Sequence, residues 1–442
     1  AAEAAAPDTK LAFAAQPLAG ATGKATWLRP AWLDDGARPS ILWSDGTGVH
    51  TSDGAAIAFP NVSAIALADL NYDFKNDLVI AGGSGVGIYR QETRQRFVDV
   101  TPQCRIPAAV LHGSYSGAWP FDVDLDGDLD IILAVNGSAP VVLRNNGDNT
   151  FAIVRPFDGV SGGVSFAAAD IDGDGDPDVA IVGSDGKLSV FRNERFGHYS
   201  PRSIPANLAS GVAAVTAGDV NHDGAPDFVV LKQDGSIFRL SDGDSALLAQ
   251  ASPQKTGAAS IMLADFDNNG GLDLLTGSGE VFLNDGHGFS KLSGVPEVAS
   301  ASAAELSGNG RLDIVGLSQD GTPVSLVNRG SKNYHWQVIR TRAANAHGDQ
   351  RINAFGIGGE IEIRAGLLAE KQIITSPVLH FGLGEHEGTD LARIVWPNGS
   401  VQAEFELKPD QSIVATQRLK GSCPSLFAWD GHRMQFVKDG AP

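Results

Sequence analysis

A nine-residue pattern with carboxylates at alternate positions recurs along this chain and restricts its fold more than any other feature. It reads DVDLDGDLD at 122–130, DIDGDGDPD at 170–178, DVNHDGAPD at 219–227 and DFDNNGGLD at 265–273. DLNYDFKND (69–77) and ELSGNGRLD (305–313) are weaker copies, and DDGARPS (34–40) is a remnant. The seven units recur about every 45 residues, the length of a four-stranded propeller blade. Each complete loop is followed by an apolar run of strand length, such as IILAV, VAIVG or FVVLK. A turn such as SDGK or QDGS and a second run such as LSVFRN or SIFRL come next, so each unit reads strand, loop, strand, hairpin, strand. Helix-like periodicity is nearly absent. The expected fold is all-β: a seven-bladed β-propeller with calcium-binding loops over residues 24–330, then a small β-sandwich or barrel over 331–418. Residues 1–23 read as a linker or leading segment, and 419–442 as a C-terminal hairpin.

Crowding like charges this tightly is costly without a counter-ion. Two carboxylates ~4 Å apart repel by ~1 kcal/mol in water and by ~4 kcal/mol at an effective dielectric of 20. A cation is therefore expected in the loops. An EF-hand would place a bidentate Glu at position 12 between helices, but that position holds Leu133, Ile181, Val230 and Thr276, and strands follow. The expected ligands are instead the side chains at positions 1, 3, 5 and 9, with a backbone carbonyl at position 7. These are Asp122, Asp124, Asp126, Asp128 and Asp130; Asp170, Asp172, Asp174, Asp176 and Asp178; Asp219, Asn221, Asp223, Ala225 and Asp227; and Asp265, Asp267, Asn269, Gly271 and Asp273. An all-oxygen, carboxylate-rich set on a flexible loop suits Ca2+, with Mg2+ the lesser alternative. The glycine at position 6 permits the sharp turn.

About four ions are thus expected, with weaker sites at Asp69–Asp77, where Phe74 replaces the turn glycine, and at Glu305–Asp313. Four Ca2+ would take the formal charge of -19 to -11. That acidity argues against nucleic acid as a partner. No run of about 18 apolar residues is present, so membrane insertion is not expected. The two cysteines, Cys104 and Cys423, make neither a disulfide framework nor a thiolate metal site.

The units resemble FG-GAP/VCBS repeats, the integrin-α-like calcium-loop propellers, with VVLRNNGDNTF (141–151) and VFLNDGHGF (281–289) similar to their closing strand and turn. Beyond residue 330 the chain resembles the ASPIC/UnbV domain in a G-I-G turn (Gly356, Ile357, Gly358), an H-F-G-L-G segment (His380 to Gly384) and a W-P-x-G turn (Trp396 to Gly399). One departure is Gly359-Glu360, where relatives read Ala-Arg. The combination is similar to the cartilage acidic protein family and its bacterial relatives. That resemblance implies an extracytoplasmic, calcium-associated protein without an assigned catalytic activity.

No G-x-S-x-G elbow, H-E-x-x-H helix, Walker loop or G-x-G-x-x-G fingerprint is present, and GDSA (243–246) lies in a repeat turn. His380 and His386, flanked by Glu385 and Glu387, read as a packed histidine and a solvated loop rather than a zinc site. Trp27, Trp32, Trp43, Trp119, Trp336, Trp396 and Trp429 read mostly as core. Asn61, Asn136 and Asn398 head N-x-S sequons. The expected protein is an extracellular, cell-surface or periplasmic binding, adhesion or assembly module that is not an enzyme. Its expected ligand is an extracellular protein or glycan, with homo-oligomers possible. The alternative is a lectin or a metal-dependent carbohydrate-active enzyme using the propeller face. The Met-less, Ala-rich start and the apolar hairpin around Asp430-Gly431 suggest a piece of a longer polypeptide, with the hairpin packed on its own chain or on a second copy.

Overall fold

The computed structural model describes residues 4–256, 259–344, 351–418, 425–429 and 434–439. Seven four-stranded antiparallel sheets follow one another along the chain. In the fourth, the innermost strand Gly163–Ala169 pairs with Asp178–Gly183, then Leu188–Asn193, then Tyr199–Arg202. The second strands are buried on both faces, as Asp178–Gly183 is throughout, which explains their unbroken Val/Ile/Leu runs. Apolar clusters sit between neighbouring blades, for example Ile132, Val142, Val179 and Ile181.

The leading segment is not a linker. Strand Phe13–Pro17 pairs with Pro323–Asn328 and forms the outer strand of the seventh blade, whose other strands are Ala299–Ala304 and Asp313–Leu317. The seventh blade thus combines both ends of the repeat region and closes the ring. Its partner lies over 300 residues away, so no local pattern announces it.

Residues 335–416 form two sheets. One orders Val378–Gly384, His335–Arg342 and Gln411–Thr416, the last two in parallel. The other orders Leu368–Ile373, Glu360–Ala365, Thr389–Val395 and Val401–Leu407. Ile339, Ile361, Ile363, Phe381, Ile394 and Trp396 fill the space between them, so the sandwich expectation holds. A Cβ at Gly356 would press on the Trp396 ring, and one at Gly359 would lie 2.5 Å from the Val395 carbonyl. A side chain has no room at Gly359 here, and Glu360 pairs with Lys371 at 2.9 Å. Strands Ser425–Trp429 and Met434–Asp439 pair as a hairpin; its turn, its side-chain packing and Cys423 lie outside the described residues. No helix among the described residues is long and apolar enough to cross a membrane.

Candidate metal centre

The acidic loops join the innermost strand of each blade to the second, so they gather on one face of the propeller. Positions 4 and 6 take positive φ in all six complete loops, between 56° and 90°. That winding is stitched by the first carboxylate. Asp122 Oδ1 accepts from the Asp126 N–H at 3.1 Å and Oδ2 from Gly127 at 2.9 Å. Asp170, Asp219 and Asp265 accept from the same two positions of their own loops. Position 5 accepts from the position 7 N–H at 2.9 Å in Asp126, 3.0 Å in Asp174, 2.9 Å in Asp223 and 2.7 Å in Asn269.

Position 3 behaves differently. Asp124 Oδ1, Asp172 Oδ1 and Asn221 Oδ1 are buried and accept no hydrogen bond, and Asp227 Oδ2 joins them from position 9. Leaving buried acceptors unpaired costs ~1–3 kcal/mol each, and the same position does so in three successive blades. Ligand oxygens of Asp122, Asp124 and Asp130, of Asp170, Asp172 and Asp174, and of Asp265, Asp267 and Asp273 lie within 4.8 Å of one another. Oxygen-only donor sets with unpaired inward oxygens fit Ca2+.

Position 7 contributes no side chain to these clusters. Arg351 binds the Asp128 carboxylate through both guanidinium ends, with one contact of 2.8 Å. Asp176 is held by Arg195 at 2.5 Å. At position 9 the carboxylate has a second duty. Asp130 accepts from Val123 at 2.9 Å and Asn145 at 2.7 Å, and Asp273 from Phe266 and Asn284, both at 2.8 Å. Asp77 and Asp313, in the degenerate loops, are bonded in the same way to the third strand, through Gln91 and Asn328. The position 9 carboxylate therefore braces the blade whether or not its loop holds an ion. Asparagines closing the third strand also tie neighbouring blades: Asn328 Nδ2 donates to Leu312 O at 2.9 Å and to Phe266 O of the previous blade at 2.7 Å. The asparagine that ends the third strand at Asn145, Asn284 and Asn328 was the visible signal for this staple.

Charge compensation differs among the loops. Arg202 reaches Asp172 at 3.2 Å and Asp178 at 3.1 Å, and Arg192 reaches Asp172 and Asp174. Arg144 stands 3.5 Å from Asp124. Among the described residues, no ion pair reaches Asp265, Asp267 or Asp273. Burial, reinforced by the Asp126 charge, pushes Asp122 up to about 8, and burial pushes Asp130 up to about 9 and Asp178 to about 7. Asp265 and Asp273 are held well above the usual range by burial and by each other's neighbourhood of charge.

The sign of the pH effect follows. A carboxyl whose folded pKa is raised above its unfolded value of 3.8 costs stability when ionised, and that cost disappears as pH falls through the folded pKa. In chelator, the thermal midpoint is expected to rise as pH drops from about 9 toward 5, the window set by Asp130, Asp122 and Asp178. Calcium should flatten this rise, and midpoints scanned against pH in both buffers check it.

In the 69–77 loop, Tyr72 and Phe74 occupy the positive-φ positions, at 61° and 63°. Phe74 meets Phe355 edge-on at 6.1 Å, and the Arg342 guanidinium lies 3.9 Å above its ring. Phenylalanine thus replaces the turn glycine because its ring anchors the C-terminal sandwich. That sandwich sits on the loop face. Arg342 pairs with Asp35 at 2.6 Å, Tyr72 Oη donates to Ala344 O at 3.2 Å, and His222 Nδ1 lies 3.1 Å from Ala369 O. His380 Nε2 lies 2.8 Å from Asn268 Oδ1, and burial pushes its pKa down to about 4 although the residue as a whole is only half-buried. No described cluster of three metal-ligating groups includes His380 or His386. Trp43 and Trp396 are core, but Trp27, Trp32, Trp119 and Trp336 are only half-buried. Trp32 and Trp336 line a cavity of about 510 Å³ beneath the sandwich.

Known family patterns agree with this architecture. FG-GAP-like repeat sequences match at residues 69–133, 122–181 and 170–230, and ASPIC and UnbV at 348–421. A crystal structure of BBS1N in complex with ARL6DN, soaked with mercury, is 14% identical, with 73% of this chain and 97% of that chain covered and a TM-score of 0.51. A structure of an Agrocybe aegerita lectin recognising non-reducing terminal N-acetylglucosamine is 17% identical over 71% of this chain and 93% of that one, with a TM-score of 0.43. No curated protein sequence matches the chain. The chain therefore carries FG-GAP-like repeats followed by an ASPIC and UnbV domain.

Proposed function

We propose that this protein is a non-catalytic, extracytoplasmic binding module whose propeller loops hold structural Ca2+. The carrying observation is the set of unpaired, buried position 3 oxygens in three successive loops. Asp124, Asp172 and Asn221 would supply ligand oxygens there, together with the carboxylates at positions 1, 5 and 9. The ion supplies charge neutralisation and a fixed loop shape; the chain's own residues wind the loop and brace it to the third strand.

Extracellular modules of this ligand type bind Ca2+ at ~10⁻⁴ to 10⁻³ M, so such loops fill outside cells and stay mostly empty in the cytosol. This supports an extracellular, surface or periplasmic location. The partner is a protein or glycan. The sandwich occupies much of the loop face, which directs that partner to the opposite face, the propeller rim or the outer sandwich surface.

Isothermal titration of chelator-stripped protein tests the metal reading. Several ions per chain should bind in that concentration range, with Mg2+ weaker. Absence of heat and of bound metal at 10 mM Ca2+ would refute it.

A further inference from the structure

The cavity of about 510 Å³ beneath the sandwich takes its walls from the first, sixth and seventh blades and from the sandwich itself. Strand His335–Arg342 supplies much of the sandwich side. Its residues Gln337, Ile339 and Thr341 are 0% exposed, whereas Trp336, Val338 and Arg340, at the alternate positions, line the cavity. Alternation puts successive side chains on opposite faces of a strand, so a tryptophan and an arginine are presented together, away from the sandwich core. Trp32, Arg38, Leu263 and Leu312 face them from the propeller. Ala37 and Arg38 are both lining and exposed, which places the opening beside the first blade.

Two buried polar atoms of the lining residues have no partner. Arg340 donates through Nη1 to the Asp35 carbonyl at 3.3 Å, but its Nε–H is unpaired. His380 Nδ1 is also buried and unpaired. Asn268 Nδ2 donates to Gly310 O at 2.9 Å, so Asn268 Oδ1 is an acceptor and the His380 proton sits on Nε2. In the neutral ring Nδ1 is then an acceptor. Among the lining residues two guanidinium groups, Arg38 and Arg340, stand against one carboxylate, Glu305, and neither arginine forms an ion pair with a described residue. The cavity therefore offers net positive charge, one unused donor and one unused acceptor within largely apolar walls.

We propose that this cavity binds a small hydroxylated aromatic acid, with the carboxylate on Arg340, the hydroxyl donating to His380 Nδ1 and the ring among Trp32, Val338 and Leu312. Small-molecule sites have volumes of roughly 300–1,000 Å³ and combine apolar walls with a few convergent polar groups. An aromatic body suits Met262, Leu263, Val378 and Leu379, which offer a polyol no hydrogen bonds from their side chains. The site uses no candidate calcium ligand of the four good loops, so it stands apart from the metal reading.

Isothermal titration of the full chain in calcium, with 3- and 4-hydroxyphenylacetate as probes, tests this. At least one isomer should bind at one per chain with roughly millimolar or tighter affinity. Its methyl ester, and phenylacetate without the hydroxyl, should each bind on the order of tenfold more weakly, because each leaves a buried polar group unpaired. Arg340→Met should weaken the acid by a similar factor and leave the ester unchanged, a pattern that general loosening of the cavity does not produce. The comparison of acid, ester and phenylacetate needs only the unaltered chain and decides the matter if the variant does not fold. Saturation by neither isomer at about 10 mM, as for a cavity that holds water only, overturns the proposal. Equal affinity for acid and ester, or for acid and phenylacetate, overturns it too, as does tighter binding of glucuronate, a carboxylate on a polar ring.

Discussion

Chelation is expected to lower the thermal midpoint by on the order of 10 °C relative to 10 mM Ca2+, by the following magnitudes. A ligand at ten to one hundred times its dissociation constant stabilises by ~1.4 to ~2.7 kcal/mol per site. Those ratios correspond to 10 mM Ca2+ over ~10⁻³ to 10⁻⁴ M affinities. Four independent sites then contribute ~6–11 kcal/mol, and ~1–2 °C per kcal/mol is reasonable in a chain larger than the 150–250-residue domains that shift by ~2–4 °C. The structure adds a reason for the loss on the apo side. Asp122, Asp124 and Asp126 would repel one another across a few ångströms, and the sixth-blade carboxylates would stand buried without a counter-ion. Calorimetry at fixed pH, with and without chelator, measures the difference. An unchanged midpoint would remove the structural role assigned to the metal.

The second large effect separates a ligand from a brace. Asp130→Ala leaves the Val123 and Asn145 N–H groups without their buried acceptor, at ~1–3 kcal/mol for each orphaned donor. That loss, about 2–6 kcal/mol, should appear in chelator as well as in calcium. Asp124→Ala removes a side chain whose Oδ1 bonds to nothing and whose Oδ2 makes one part-exposed ion pair with Arg144 at 3.5 Å, so its destabilisation should be small in chelator and larger in calcium. Urea unfolding of both variants in both buffers decides the matter. Equal calcium dependence for the two would mean that position 9 acts through the ion and not through the strand.

The acidic loops, the blade period and the all-β fold were legible from the sequence because each depends on residues close together in the chain. Position 1 bonds four and five residues ahead, and position 5 bonds two ahead, so the winding leaves a nine-residue signature. Phe74 was misleading for the same reason. Read locally it spoils a glycine turn, yet the backbone turns there at positive φ regardless, and the ring is used by Phe355, 281 residues on. The half-buried tryptophans are a parallel case. Strand position alone suggests core, while the cavity that Trp32 shares with Trp336 of the sandwich depends on where that domain lands.

By itself, then, the sequence determined the propeller, its period, the oxygen-rich loops and the motifs of the C-terminal sandwich. Apolar alternation, turn glycines and clustered charge act over a few residues and are written there directly. Only the tertiary structure decided that the first strand closes the last blade, that Asp130 and its equivalents brace the third strand, and that the sandwich lies across the acidic face. Those outcomes depend on which distant surfaces complement one another. Arg351 with Asp128, Gly382 with Asp265 and Ala5 with Asn269 are separated by 117 to 264 residues, and no periodicity within a blade encodes such pairs.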